Sequence, residues 1–129
     1  MNLNEIPTPA ALIDVQRMQA NIQRMQNHMN ELGVAFRPHA KTAKCLHVTQ
    51  AQSDAGAQGI TVSTLKEAEQ FFAGGFSNIT YAVGMAPSKL SQALGLIRRG
   101  CALNLITDSM ESAWPSRSSA KATRLFLTY

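Results

Sequence analysis

Cysteine is scarce in this 129-residue chain, which has only Cys45 and Cys101. Two cysteines so far apart give neither a disulfide framework nor the ligand spacing of a metal site. No apolar run approaches the roughly 20 residues that span a bilayer. The first residues show neither the basic region nor the apolar core of a signal peptide. Reduced thiols and the lack of such segments predict a cytoplasmic protein without membrane contact.

Aromatic residues are also few, at 6% of the chain, and no basic cluster is interleaved with them. The net charge of +4 is modest and is spread along the sequence. Nucleic-acid binding is therefore not expected. A glycine-rich loop of specific spacing is missing as well, so the sequence offers no recognisable phosphate-binding loop.

What the chain does have is a regular alternation of strand and helix patterns. Short apolar stretches predict strands at residues 11–13, 34–41, 59–62, 79–83 and 102–106. Apolar residues three and four apart predict helices between them. Asp14 and Thr64 are candidate helix caps, and Gly33 and Gly100 are candidate helix ends. The alternation predicts an α/β fold with a parallel sheet and right-handed crossovers.

The first predicted helix carries an apolar stripe that is rich in methionine. Its members lie three and four residues apart: Val15, Met18, Ile22, Met25, Met29 and Leu32. A methionine stripe can form a promiscuous binding surface, but this regular spacing is more typical of a core helix packed on a sheet. We therefore predict that the stripe is buried.

The segment from Arg37 to Thr42 carries most of the candidate chemistry. In a strand over residues 34–41, Arg37, His39 and Lys41 share one face, and Lys41 lies at the C-terminal tip. In parallel α/β folds this tip is where ligands bind. A lysine among other cationic groups is a candidate Schiff-base former, because like charge and desolvation favour the neutral, nucleophilic amine. A solvated edge strand with a basic face is the alternative.

Four stretches of the sequence together resemble one enzyme family. They are Ile6–Asp14, Arg37–Cys45, Gly59–Glu69 and Ile79–Gly84. The second is similar to the lysine motif of the D-threonine aldolase and D-serine dehydratase-like family. The others resemble that family's first, third and fourth strands, and the likeness runs to about residue 112. Members of the family are pyridoxal 5'-phosphate (PLP) enzymes with an alanine-racemase-type barrel.

The resemblance implies that Lys41 holds PLP through a Schiff base, as both a cofactor-binding and a catalytic residue. His39 shares its face and is a catalytic candidate beside the PLP ring or a substrate carboxylate. Arg37 is a cofactor-binding candidate that could also fix a carboxylate. The structural alternatives are a hydrogen bond inside the barrel for His39 and an ion pair for Arg37. Full-length relatives hold a divalent metal in a C-terminal domain, so no metal ligand is assigned in this chain.

The implied chemistry is a lyase reaction on a small D-amino acid. The favoured expectation is aldol cleavage of D-threonine-like 3-hydroxy amino acids to glycine and an aldehyde. Dehydration of D-serine or 3-hydroxyaspartate is the alternative. The family motif commonly has a second histidine two residues after the lysine, where this chain has Ala43. A non-catalytic PLP-binding barrel and an inert gene fragment are further alternatives, and related enzymes often complete their site across a homodimer.

At 129 residues, this sequence is too short for the complete barrel that the resemblance implies. A complete (β/α)8 TIM-type barrel needs about 250 residues, so residues 1–112 are predicted to form its truncated first half. Residues 113–129 lack helical periodicity and are rich in serine and basic residues. We expect this tail to be out of frame or truncated; the alternative is a natural short protein with a basic tail. Residues 125–129 would form a strand or an apolar tail without a partner.

Overall fold

The computed structural model describes residues 2–107 and the strand at residues 125–127. The α-helices in this part of the chain are Val15–Glu31 (α1), Leu46–Asp54 (α2), Leu65–Ala73 (α3) and Leu90–Arg98 (α4). The strands are Ile60–Val62 (β1), Asn78–Gly84 (β2), Ala102–Thr107 (β3) and Leu125–Leu127 (β4). Short 3-10 turns lie at Leu3–Glu5 and Pro87–Lys89. None of the helices described combines the length and apolarity needed to cross a bilayer.

The strands form one parallel sheet in the order β1-β2-β3-β4. Ile79 of β2 lies between Ile60 of β1 and Leu103 of β3. Helices α3 and α4 connect successive strands, as parallel pairing requires. The predicted α/β class with a parallel sheet is therefore confirmed. Leu125–Leu127 is a strand beside β3, and the rest of the predicted tail lies outside the described residues.

The predicted strand at residues 34–41 is present only in part. Residues 36–40 are extended and run parallel to β1 at the edge of the sheet. Phe36 and Pro38 accept backbone hydrogen bonds from Gln58 and Thr61 at 3.0 and 2.8 Å, and Ala40 donates to Thr61 at 2.8 Å. Only His39 forms an isolated bridge with Thr61. Proline has no N–H to donate, which suits an edge position. Lys41 is not in the strand; it lies in the turn that follows.

The predicted strand at residues 11–13 is wrong. These residues pair with no strand in the described part of the chain. Leu12 is 63% exposed and Ile13 is 53% exposed, so they lack the burial that stabilises a central strand. The neighbouring prediction is confirmed, because Asp14 caps α1 by accepting the Arg17 N–H at 3.0 Å.

The hydrophobic core lies between the sheet and the helices α3 and α4. Side chains alternate along each strand, and the residues that face the helices are buried: Ile60, Val62, Ile79, Tyr81, Leu103 and Leu105. They pack with buried helix residues that include Leu65, Ala68, Phe71, Ala93 and Leu96. Thr61, Thr80 and Asn104 lie on the opposite face and are only half-buried. The sheet therefore has one apolar face under helices and one open, polar face.

Burial of the methionine-rich stripe on α1 is a prediction that the structure corrects. Met18, Ile22 and Met29 are half-buried, whereas Met25 and Leu32 are 45% and 58% exposed. Helix α1 contacts α2. Gln26 of α1 is buried, while Met25 beside it is exposed, so the packed face of the helix includes a polar residue next to the stripe.

Candidate functional site

Lys41 lies in a turn at the C-terminal end of the edge segment. Ala40 anchors the start of this turn to β1, and the Lys44 N–H closes it on the Ala40 carbonyl at 2.9 Å. Lys44 has a φ of +46°, which is the left-handed conformation that lets the chain reverse into α2. The Lys41 side chain is exposed and forms no ion pair within residues 2–107. Its amine is therefore free to meet a ligand.

His39 is half-buried, and both of its ring nitrogens have partners. Nδ1 lies 3.3 Å from the Lys41 backbone N–H, and Nε2 lies 3.3 Å from Ser63 Oγ. An N–H can only donate, so Nδ1 is the unprotonated nitrogen and Nε2–H donates to Ser63. Burial lowers the pKa of His39, the charge of Lys41 lowers it further, and Glu67 opposes both. The neutral ring is therefore the favoured form.

Glu67 is the buried acid nearest to this turn. Its carboxylate accepts the Ser63 backbone N–H at 2.9 Å and pairs with Lys44 Nζ at 3.2 Å. Burial raises the pKa of Glu67, but these partners outweigh it, and the net shift is downward. Glu67, Ser63 and Lys44 were not predicted from the sequence as site residues. The sequence feature that indicates the Glu67 contact is Thr64 followed three residues later by Glu67, which is the spacing of a capping box.

Arg37 lies at the other end of the edge segment. Its guanidinium donates to the Asn78 carbonyl at 3.1 Å, to Asn78 Oδ1 at 2.9 Å and to the Ile60 carbonyl at 3.3 Å. Ile60 and Asn78 are the first residues of β1 and β2. Lys41 lies in the turn beyond the opposite, C-terminal end of this segment. Burial lowers the pKa of the guanidinium. The structure does not bring Arg37 and Lys41 together, and the cofactor role of Arg37 stays a prediction.

The open face of the sheet beside Lys41 is lined by polar side chains. Asn104 Nδ2 donates to Thr80 Oγ1 at 3.2 Å, and Thr61 is the next polar residue toward the edge. Tyr81 is fully buried on the helix side, where its hydroxyl lies 3.4 Å from Lys89 Nζ, so it belongs to the core. Within the described ranges no cluster of three His, Cys, Asp or Glu could hold a metal ion. The arrangement provides an amine nucleophile beside a polar surface.

The residues of this arrangement lie within a match to a known protein family. Residues 13–120 match the model of the alanine racemase N-terminal domain. The chain belongs to this family. The match confirms the family that the four sequence stretches, including the motif at Arg37–Cys45, indicate.

By name, the relatives of this chain are dehydratases and aldolases of D-amino acids. Over 108 residues it is 62% identical to D-threo-3-hydroxyaspartate dehydratase of Delftia sp. (strain HT23), covering 84% of this chain and 28% of that protein. It is 32% identical to D-threonine aldolase of Arthrobacter sp, covering 83% and 28% respectively. The solved Delftia dehydratase superposes with a TM-score of 0.90 at 54% identity, covering 95% of this chain and 34% of that one. A mutant of that dehydratase has been solved in a metal-free form.

The chain thus spans about a third or less of the relatives that it matches. This fits the expectation that the chain corresponds to the first part of a complete barrel. The relatives include both a dehydratase and an aldolase by name.

Proposed function

We propose that this chain forms the N-terminal part of the PLP-binding barrel of a lyase that acts on D-3-hydroxy amino acids. The observation that carries the proposal is the position of Lys41, which is exposed in the turn after the edge segment and forms no ion pair within residues 2–107. The sequence motif and the position of this turn support the proposal, because parallel α/β folds bind ligands at the C-terminal ends of their strands.

The residues present fit the aldehyde end of PLP. Lys41 would hold the cofactor's aldehyde carbon through its ε-amino group, and Thr61 and Thr80 would offer polar groups along the open face. When bound, PLP supplies an electron sink for the bonds at the substrate α-carbon. We assign no residue to the cofactor's phosphate. The metal-free form reported for the Delftia dehydratase supports a divalent metal in the full-length protein, with ligands outside the described residues.

Lys41 would also act as an acid–base group. An exposed amine in a turn can exchange a proton with the substrate α-carbon at Nζ. The neutral His39 ring beside it adds no positive charge that would repel the protonated amine. Lys41 is therefore proposed as both the cofactor-binding and the acid–base residue.

Dehydration of a 3-hydroxyaspartate-like substrate is the reaction that we favour. The 62% identity to the Delftia dehydratase supports it, against 32% to the Arthrobacter aldolase. Aldol cleavage of D-threonine-like substrates, which the motif favours from sequence, is the second candidate. A homodimer remains part of the proposal for the full-length enzyme.

PLP binding to the 129-residue chain tests the role of Lys41. We expect a visible absorption band that borohydride abolishes and that Lys41→Ala does not show. Lys66→Ala is the control, because Lys66 is an exposed lysine on α3, and it should keep the band. A band retained in Lys41→Ala would disprove the assignment, as would an equal loss in both variants.

Product analysis then separates the candidate reactions. Ammonia and a keto acid from D-threo-3-hydroxyaspartate would support dehydration, and glycine from D-threonine would support aldol cleavage. A band without either product would favour a non-catalytic PLP binder. No band from a chain that also lacks a cooperative unfolding transition would favour an inert fragment.

A further inference from the structure

We propose that the start of α3, from Ser63 to Glu67, holds the Lys41 turn in place through two separate contacts, and that His39 is a positioning residue. This inference deepens the proposed function and rests on it only where PLP binding is the readout. Neither contact was assigned from sequence. Each joins a residue of the lysine motif, His39 or Lys44, to a residue at the start of α3.

The first contact holds the entry of the turn. His39 bridges the Lys41 backbone N–H on one side of its ring and Ser63 Oγ on the other, each at 3.3 Å. Ser63 directly follows β1, and His39 already pairs with Thr61 of that strand. The imidazole therefore ties the lysine's own peptide to the C-terminal end of β1.

The second contact holds the exit of the turn. Lys44 closes the turn in a left-handed conformation that a lysine adopts only when its surroundings compensate. Its Nζ pairs with Glu67 at 3.2 Å, and the Glu67 side chain is only 8% exposed. That carboxylate also accepts the Ser63 N–H at 2.9 Å. One buried acid thus joins the exit of the turn to the residue that holds its entry.

The two hydrogen bonds of the first contact limit the chemistry of His39. A ring whose Nδ1 accepts a backbone N–H and whose Nε2–H donates to Ser63 has no nitrogen left for a substrate proton. His39 would have to break one of these bonds to act as an acid or a base. Its contribution is therefore to orient Lys41, which remains the group that meets the cofactor.

The His39 tautomer provides a test that does not depend on PLP. In long-range 15N NMR spectra of the 129-residue chain, we expect a pyridine-type signal at Nδ1 and a pyrrole-type signal at Nε2. His47 is exposed on α2 and serves as an internal reference that should show mixed tautomers. A protonated Nδ1 in His39, or a tautomer mixture like that of His47, would overturn the proposal.

PLP capture by matched variants tests the Glu67 contact. Loss of one buried charged hydrogen bond predicts that Glu67→Gln captures PLP about tenfold more weakly. Lys44→Arg keeps the cation and should retain most of the binding, whereas Lys44→Met should behave like Glu67→Gln. Thr64→Ala is the control for stability alone, because it weakens the cap of α3 without removing either contact. If Thr64→Ala lowers PLP capture as much as Glu67→Gln does, the contacts have no specific role.

His39→Asn separates positioning from acid–base chemistry. Asparagine keeps an acceptor for the Lys41 N–H, so His39→Asn should capture PLP nearly as well as the wild type at neutral pH, whereas His39→Ala removes the acceptor and should capture it more weakly. Equal losses in His39→Asn and His39→Ala would show that the contact with the Lys41 N–H is not what His39 contributes. If the wild-type chain captures no PLP at all, the proposed function fails, while the 15N tautomer still decides the positioning contacts.

Discussion

Replacing Arg37 with methionine tests whether this residue holds the sheet together. Its guanidinium donates at 3.1 Å to the Asn78 carbonyl and at 2.9 Å to Asn78 Oδ1, with a longer contact of 3.3 Å to Ile60. A hydrogen bond from a charged donor contributes about 1.5 kcal/mol at the low end of its range. Methionine keeps the apolar stem but donates nothing. The two shorter bonds therefore predict a loss of about 3 kcal/mol in the free energy of unfolding.

Urea unfolding followed by far-UV circular dichroism measures this loss. Arg24→Met is the matched control, because it removes the same charge from an exposed site on α1 where Arg24 bonds only to Asn21. We expect this control to change the free energy of unfolding by less than about 0.5 kcal/mol. Gly59→Ala should lower the free energy of unfolding at least as much as Arg37→Met, since a Cβ at residue 59 would collide with both the guanidinium and the Asn78 carbonyl.

Equal unfolding free energies for Arg37→Met and Arg24→Met would refute this reasoning. If Arg37→Met leaves stability unchanged but abolishes PLP binding, Arg37 is instead the cofactor-binding residue that the sequence predicts.

Three further predictions concern the start of α3 and the two cysteines. Thr64→Ala removes the acceptor of the Glu67 N–H and should lower the free energy of unfolding by about 1 kcal/mol in urea; an unchanged midpoint would contradict this. Because the pKa of Glu67 is lowered in the fold, its stabilisation is complete above the ordinary pKa and is lost as pH falls through the lowered one. The melting temperature should then fall less steeply with acid in Glu67→Gln than in the wild type. Burial raises the pKa of Cys101 to about 11, so a thiol reagent should label Cys45 in the folded chain and Cys101 only after unfolding; equal labelling rates would count against it.

Local signals in the sequence are sufficient to predict most of the element order. Asp14 and Thr64 cap their helices through their own side chains, and Gly33 and Gly100 end helices with positive φ. These contacts span only a few residues, so they can be read without knowing the fold. The same holds for the parallel sheet, because strands that alternate with helices have few other arrangements.

Burial and pairing depended on more distant residues. The spacing of Met18 and Met25 is equally regular, yet Met18 is half-buried and Met25 is 45% exposed, while Gln26 beside Met25 is buried. Residues 11–13 have a strand-like composition but no paired neighbour in the described chain. Periodicity reports which residues share a face, and it does not report what lies opposite that face.

By itself, the sequence determined the chemistry that this protein can offer: a lysine after a strand, within a motif that identifies its family. Only the tertiary structure decided which residues surround that lysine. Arg37 and His39 share a face in sequence, but Arg37 bonds to the starts of β1 and β2 while His39 bonds to Ser63. Glu67 lies 26 residues from Lys41 in sequence, and the βα crossover brings it to the same turn. Contacts between residues this far apart follow from the packing of strands and helices, which no local pattern encodes.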